Sequence, residues 1–175
     1  MEPTKGEGMS EFLEARLRGI ARQEELLVLD HFDATVAFSL ATHIRDAALT
    51  ANVGVTIEVV VRDNPIVVIA MDGTTLMNKD YARRKRNLVN LMERSSYAIA
   101  TDALLGRDWI ERMSLDPRDH GLHGGCFPLR VRNAGMIGSI AVSGLAQGDD
   151  HRLIVEALAD HCGVDRALVA LPIEG

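Results

Sequence analysis

The sequence predicts an α+β domain in which helices cover a central, mainly antiparallel sheet. Two pairs of segments rich in β-branched residues are each separated by a short turn sequence, which predicts hairpins and not repeated βαβ units. The segments between them carry apolar residues at helical spacing. The first hairpin is largely apolar on both faces, so both faces of the sheet need a cover of helices or of another subunit.

The first 50 residues predict two helices with a short strand between them. Ser10–Gln23 has apolar residues at helical intervals, with Ser10 as the expected N-cap. Glu25–Leu29 fits a short strand. Helical spacing then returns after Asp33, a residue type that caps helix N-termini well.

The middle of the chain predicts a hairpin followed by a basic helix. Val55–Met71 contains two β-branched runs on either side of the turn sequence Arg62-Asp63-Asn64-Pro65. Asn78–Tyr97 carries its charges around an inward stripe of leucine and methionine. A helical region around Ala98–Met113 has a weaker pattern.

The last third predicts a second hairpin and a closing helix. Phe127–Val131 and Met136–Val142 are the strands, joined around Asn133-Ala134-Gly135. Gln147–Cys162 has the periodicity of an amphipathic helix, with acidic residues near its positive N-terminal end.

Length and composition limit the possible functions. The chain has 175 residues, which predicts one domain at residues 10–175 after a flexible N-terminus at residues 1–9. A net charge of -6 argues against a nucleic-acid or anionic-membrane binder, because both need a positive surface. No signal sequence or long apolar span is visible, and two cysteines without zinc spacing fit a reducing cytoplasm. Small molecules or other proteins are the expected partners.

The segment from His120 to Cys126 is the first candidate site. Its glycines make a regular helix improbable, so a metal held by His120 and His123 is disfavoured. Gly124 and Gly125 can let the backbone approach a ligand, with His123 as a polar tip or an axial iron ligand. Alternatively, these glycines serve only a connection that needs positive φ.

Three further features have both a functional and a structural explanation. Cys126 is a conceivable nucleophile near histidines, but a small core residue is favoured. The basic run includes Arg83, Arg84 and Arg86; a solvated helix face explains it best, although one or two arginines can turn inward to bind carboxylates or phosphates. His43, on a helical edge, can reach a planar cofactor across a subunit contact or can be an ordinary core-edge histidine.

Four segments resemble the GlcG/HbpS-like family, which includes heme-binding and so-called heme-degrading domains. They are YARRKRN (81–87), HGGCFPLRV (123–131), GSIAVSGL (138–145) and DDHRLIVEAL (149–158). The likeness is strongest to the family's uncharacterised stand-alone branch. Cys126 stands where the family often has a third glycine.

The resemblance implies a three-layer α/β/α, profilin-like domain that assembles into dimers or larger homo-oligomers, and it implies heme or a related tetrapyrrole as a possible cofactor. The expected binding residues are His43, Arg83, Arg84, Arg86, His123, Gly124 and Gly125. The family offers no agreed catalytic residue, so no catalytic role is assigned.

Two other functions stay open on the sequence. One is a structural or interaction protein that assembles through its apolar sheet, with Phe127, Val142 and Leu145 in subunit contacts. The other is an enzyme of unknown reaction that uses Cys126 or a metal at the two histidines.

Overall fold

The computed structural model describes residues 5–172, with side chains from Gly8 onward. The helices are α1 Lys5–Leu26, α2 Ala34–Thr50, α3 Leu76–Met92, α4 Ser96–Leu104, α5 Trp109–Arg112 and α6 Gln147–Cys162. The strands are β1 Val28–Leu29, β2 Thr56–Val61, β3 Asn64–Ala70, β4 Cys126–Val131 and β5 Gly135–Ser143. A short 3-10 helix, Arg166–Leu168, follows α6.

Both predicted hairpins are present and form most of the sheet. β2 pairs with β3, and β4 with β5, each antiparallel. Arg62 and Asp63 have φ of 51° and 61°, as a two-residue type I′ turn requires. β2 also pairs antiparallel with β5, and β1 adds parallel to β4, which gives the order β1-β4-β5-β2-β3. With helices on both faces, the predicted three-layer α/β/α class is confirmed.

The sheet face under α2 and α6 holds the apolar core. Ile57, Ile140 and Phe127 alternate onto this face and are at most 1% exposed. Burying a side chain of this size contributes about 1.5–3 kcal/mol. Asp33 caps α2 as predicted, accepting a hydrogen bond from the Val36 amide at 2.8 Å. The cap and the core together fix α2 across the sheet.

The opposite face, under α3, is partly polar, so the expectation of a sheet apolar on both sides is wrong. Thr56 and Glu58 of β2 and Ser139 of β5 lie on this face, and each is at most 4% exposed. Glu58 forms an ion pair with Arg86 of α3. α3 supplies partners for two of these polar residues, Arg86 for Glu58 and Asn90 for Ser139.

α1 differs from the prediction at both ends. It begins at Lys5, so Ser10 lies inside the helix and is not its N-cap. Of the predicted flexible segment, residues 1–4 lie outside the described residues, and the part from Lys5 is helical. Contacts with α4 hold the C-terminal half of α1, because Ile20 packs against Tyr97 and Glu24 accepts from the Ser95 amide at 2.7 Å. Since α1 continues to Leu26, the predicted strand shortens to Val28–Leu29.

The core also corrects the residues expected at subunit contacts. Phe127 and Val142 are buried within the chain, at 1% and 0% exposure, and Leu145 packs partly against the same core. They therefore stabilise the single chain. Among the described residues, no helix has both the length and the hydropathy that crossing a bilayer requires.

Candidate functional site at the His123 turn

The turn before β4 lies against α3 and brings His123 close to Tyr81 and Arg84 of that helix. The rings of Tyr81 and His123 meet edge to face, with centroids 5.1 Å apart. The Arg84 guanidinium lies 5.4 Å from the Tyr81 ring centroid. The Gly121 amide donates to the Arg84 carbonyl at 3.2 Å, which ties the turn to the helix. We call Tyr81, Arg84 and His123 the His123 patch.

His123 is exposed, yet its surroundings favour the neutral ring. Partial burial of the imidazole lowers its pKa, and the positive charges of Lys85 and Arg84 lower it further. A neutral imidazole keeps a nitrogen lone pair, which a metal ligand or a hydrogen-bond acceptor needs. The patch therefore presents a nitrogen base beside a guanidinium.

Arg84 of the patch and its neighbour Arg83 already have hydrogen-bond partners within the chain. Arg83 donates to Asp119 at 2.8 Å and to Asp80 at 3.0 Å. Arg84 donates to the Pro117 carbonyl at 2.7 Å, while its Nε is buried without a hydrogen-bond partner among the described residues. These contacts order the loop before the turn and hold positive charge next to His123.

Lys85 is the residue of this region that the sequence analysis missed. It lies inside the basic run but is only 2% exposed, between the buried residues Ala82 and Val89. Because residues three and four apart share a helix face, the apolar residues at positions 82 and 89 place position 85 inward. That spacing was the available signal, and the surrounding charges masked it.

The Lys85 ammonium ties four segments together. It donates to the Gly124 carbonyl at 3.0 Å, the Val142 carbonyl at 2.6 Å and Asp150 Oδ2 at 3.1 Å. Asp150 Oδ1 accepts from the Leu145 amide at 3.0 Å. Burial lowers the pKa of Lys85 and raises that of Asp150, and the ion pair opposes both changes. All three ammonium donors have acceptors, so the pair fixes the turn.

Gly124 and Gly125 are needed for this internal packing. A Cβ at Gly124 would lie 2.6 Å from the Gln147 carbonyl oxygen. Gly125 has φ of +104°, and a Cβ there would lie 2.8 Å from the Lys85 ammonium. The glycines thus fit the structural explanation given above, a connection that needs positive φ and close packing.

Two other predicted binding residues lie apart from the patch. Arg86 points toward β2 and pairs with Glu58. His43 lies on α2, in the layer on the other side of the sheet, where its Nε2 is 3.2 Å from Asp160 Oδ2. Within one chain, therefore, neither Arg86 nor His43 joins the His123 patch.

The local chemistry does not favour a thiol or a metal centre. Cys126 is fully buried, and burial raises the pKa of its thiol to about 12, whereas a nucleophilic cysteine needs a lowered pKa. His120 Nδ1 lies 3.1 Å from the Asp116 carbonyl oxygen. Within residues 5–172, no group of three or more His, Cys, Asp or Glu side chains is arranged to hold a metal ion.

Solved structures with this fold include heme-related proteins. The Ybr137w protein matches with a TM-score of 0.78 and 23% identity, over 90% of this chain and 96% of that one. A PduOC:heme complex matches with a TM-score of 0.64 and 18% identity, over 73% and 93%. HbpS matches with a TM-score of 0.59 and 21% identity, over 74% and 89%. These likenesses establish the fold.

Sequence comparison identifies the family. A UPF0303 protein of Azotobacter vinelandii is 49% identical over 148 residues, covering 84% of this chain and 89% of the relative. A UPF0303 protein of Mesorhizobium japonicum is 39% identical over 156 residues, covering 89% and 93%. The model of the family described as "Haem degrading protein HbpS-like" matches residues 32–159. The chain therefore belongs to the HbpS-like family.

Proposed function

We propose that this protein is a cytoplasmic, homo-oligomeric binder of heme or a related tetrapyrrole, with the His123 patch as the binding surface. The observation that carries the proposal is the exposed His123 imidazole, whose pKa is lowered by partial burial and by two neighbouring cations. Membership of the HbpS-like family and the fold shared with a PduOC:heme complex support it.

The residues of the patch fit the needs of a heme. A neutral imidazole is a common axial ligand of heme iron, and the exposed ring of His123 is accessible to a ligand from solution. Tyr81 holds that ring edge to face and limits its rotation. Arg84 places a guanidinium group beside it, and such a group pairs with carboxylates like the heme propionates.

When bound, heme would supply redox and oxygen chemistry whose course depends on the axial ligand and on the polarity around it. The chain's own contribution is to position the turn that carries His123 and to set the pKa of its imidazole. Lys85 and Asp150 hold the Gly124-Gly125 turn in place. Partial burial and then the nearby cations lower the pKa of His123, which favours the unprotonated ring nitrogen. No catalytic residue is proposed.

Hemin titration of the purified protein tests the proposal. We expect a shift of the Soret band on binding, and an affinity at least tenfold lower, about 1.4 kcal/mol, in His123→Ala. His43→Ala is the matched control, since His43 is a partly exposed histidine on the opposite layer. Arg84→Gln should weaken binding without removing the shift, because the axial ligand remains.

Three outcomes would contradict the proposal: no Soret shift in the wild type, equal affinity in His123→Ala, or a loss confined to His43→Ala.

Sedimentation tests the proposed homo-oligomer. The proposed oligomer is supported by β3, an edge strand whose Val68 side chain is 50% exposed. An oligomer that binds no hemin would favour an interaction protein instead.

A further inference from the structure

A cavity lined by none of the residues of the His123 patch lies beside α4 and α6. It has a volume of about 640 Å³ and is bounded by Tyr97, by the first three turns of α6 and by the segment from Arg166 to Pro172. Val155 and Val169 contribute apolar wall, as does Leu171. A volume of this order is typical of small-molecule sites.

Part of this cavity comes from outside the family match. The HbpS-like model covers residues 32–159, whereas Gln23 of α1 and the segment after Arg166 also line the cavity. Gly19 of α1 packs closely against Leu171 and holds that segment in place. The enclosure is therefore built by the two ends of the chain.

His151, in the wall of this cavity, has a fixed tautomer. The Gln23 side-chain amide donates to the Val169 carbonyl at 2.6 Å, so its oxygen faces His151. His151 Nε2 lies 2.8 Å from that oxygen and must carry the proton that it donates. Nδ1 is therefore an acceptor. It is buried and has no hydrogen-bond partner among the described residues.

The ring of His151 stays neutral, and the other charges of the wall cancel. Burial lowers the pKa of His151 to about 3. Arg152 pairs with Asp149 at 2.9 Å and with Glu156 at 3.4 Å, and Arg166 pairs with Glu156 at 2.9 Å. A charged ligand would have to break one of these pairs. An uncharged ligand leaves them intact.

The aromatic neighbours of His151 define the shape of a ligand. The Tyr97 ring centroid lies 5.0 Å from that of His151, with the rings inclined by 47°. Phe127 lies 5.9 Å away on the core side. Flat rings pack well against such tilted surfaces. A buried acceptor without a partner destabilises the chain, and a donor supplied by a ligand would remove that penalty.

We propose that this cavity binds an uncharged aromatic molecule that carries one N–H or O–H donor, of the indole or phenol class, with His151 Nδ1 as the acceptor. The site is separate from the proposed tetrapyrrole surface, because it lies on different residues and uses the segments that flank the family match.

Calorimetric titration of the ligand-free protein with indole tests this, with benzofuran as a probe of nearly the same shape that lacks the donor. We expect indole to bind with a Kd of about 1 mM or tighter, and benzofuran to bind at least tenfold more weakly. In protein with ¹⁵N-labelled histidine, the Nδ1 resonance of His151 should move with indole and stay in place with benzofuran.

A cavity-filling variant locates the binding. Ala170 lines the cavity and is exposed, so Ala170→Trp should abolish indole binding while the circular-dichroism spectrum stays that of the wild type. Equal affinity for the two probes, full binding by Ala170→Trp, or no heat with indole up to about 10 mM would each overturn the proposal. Hemin binding is not needed for any of these results, so the two proposals fail independently.

Discussion

The two faces of the sheet bury their strands in different ways. Under α2 and α6, aliphatic and aromatic side chains fill the space. Under α3, an ion pair between Glu58 and Arg86 and the Lys85–Asp150 pair lie among small residues. Apolar packing depends on area and volume and tolerates small shifts in position. Buried charges depend on geometry, because each one needs its partner at hydrogen-bond distance. The polar face is therefore the one suited to positioning a turn.

The sharpest way to break this comparison is to remove one charge from the α3 face. Lys85→Met leaves Asp150 buried without its cation, and we expect a loss of about 3–5 kcal/mol in unfolding free energy at pH 7. Urea unfolding measures it. The loss should shrink at pH 5, because the raised pKa of Asp150 lets it take up a proton. Lys79→Met, at an exposed position of the same helix, should change stability by less than about 0.5 kcal/mol.

A truncation on the apolar face gives the matching measurement. Ile140 is fully buried, and Ile140→Ala should lower the unfolding free energy by about 2–5 kcal/mol, with no dependence on pH between 5 and 7. Its neighbour Ser139 faces α3, and its hydroxyl donates a long hydrogen bond of 3.5 Å to Asn90 Oδ1. Ser139→Ala should therefore change stability by about 1 kcal/mol or less. Equal losses of unfolding free energy in Ile140→Ala and Ser139→Ala would remove the distinction between the two faces.

His151 sharpens the comparison, because it is a polar ring that contacts Phe127 of the apolar core. Its pKa falls from the usual 6.5 to about 3 on folding, so the unfolded chain takes up a proton that the folded chain refuses. Stability from this residue is complete above pH 6.5 and is lost as the pH falls. Between pH 7 and 5 we expect a loss of about 2 kcal/mol.

Urea unfolding at both pH values measures this loss. His151→Phe should show a smaller decrease in stability between pH 7 and 5 than the wild type. A decrease that is the same in His151→Phe as in the wild type would assign the pH dependence to other groups.

The smallest expected effect is at the buried thiol of the α3 face. Cys126 is fully buried, and the pKa of its thiol is raised to about 12, so we expect no reaction with a disulfide reagent at pH 8 in the folded protein. Cys162 is half-buried and should react slowly. Titration in urea should then count both thiols. Rapid reaction of two thiols in the folded chain would mean that Cys126 is accessible.

The sequence allowed the hairpins and α6 to be predicted because their signals are local. The Arg62-Asp63 turn and the spacing of Gln147–Cys162 need no information from distant residues. Lys85 was missed because charge is normally a sign of exposure, and only its spacing from Ala82 indicated burial. The separation of His43 from His123 within the chain could not be predicted, because the sequence does not show which layer of the fold a residue belongs to. The cavity beside His151 was invisible for a similar reason, since it needs Gln23 and Val169 from distant parts of the chain.

The strand order also bears on the route by which the chain folds. The two hairpins close short loops, whereas β1 must find β4 across about a hundred residues, since Val28 pairs with Arg130. Long-range pairing pays its loop-closure entropy before its contacts form. We therefore expect the hairpins and the β2–β5 pairing to form first and β1 to dock late, carrying α1 with it. The amides of β1 should then exchange with solvent sooner than those of β5. The cavity beside His151, which Gln23 of α1 lines, would be completed last.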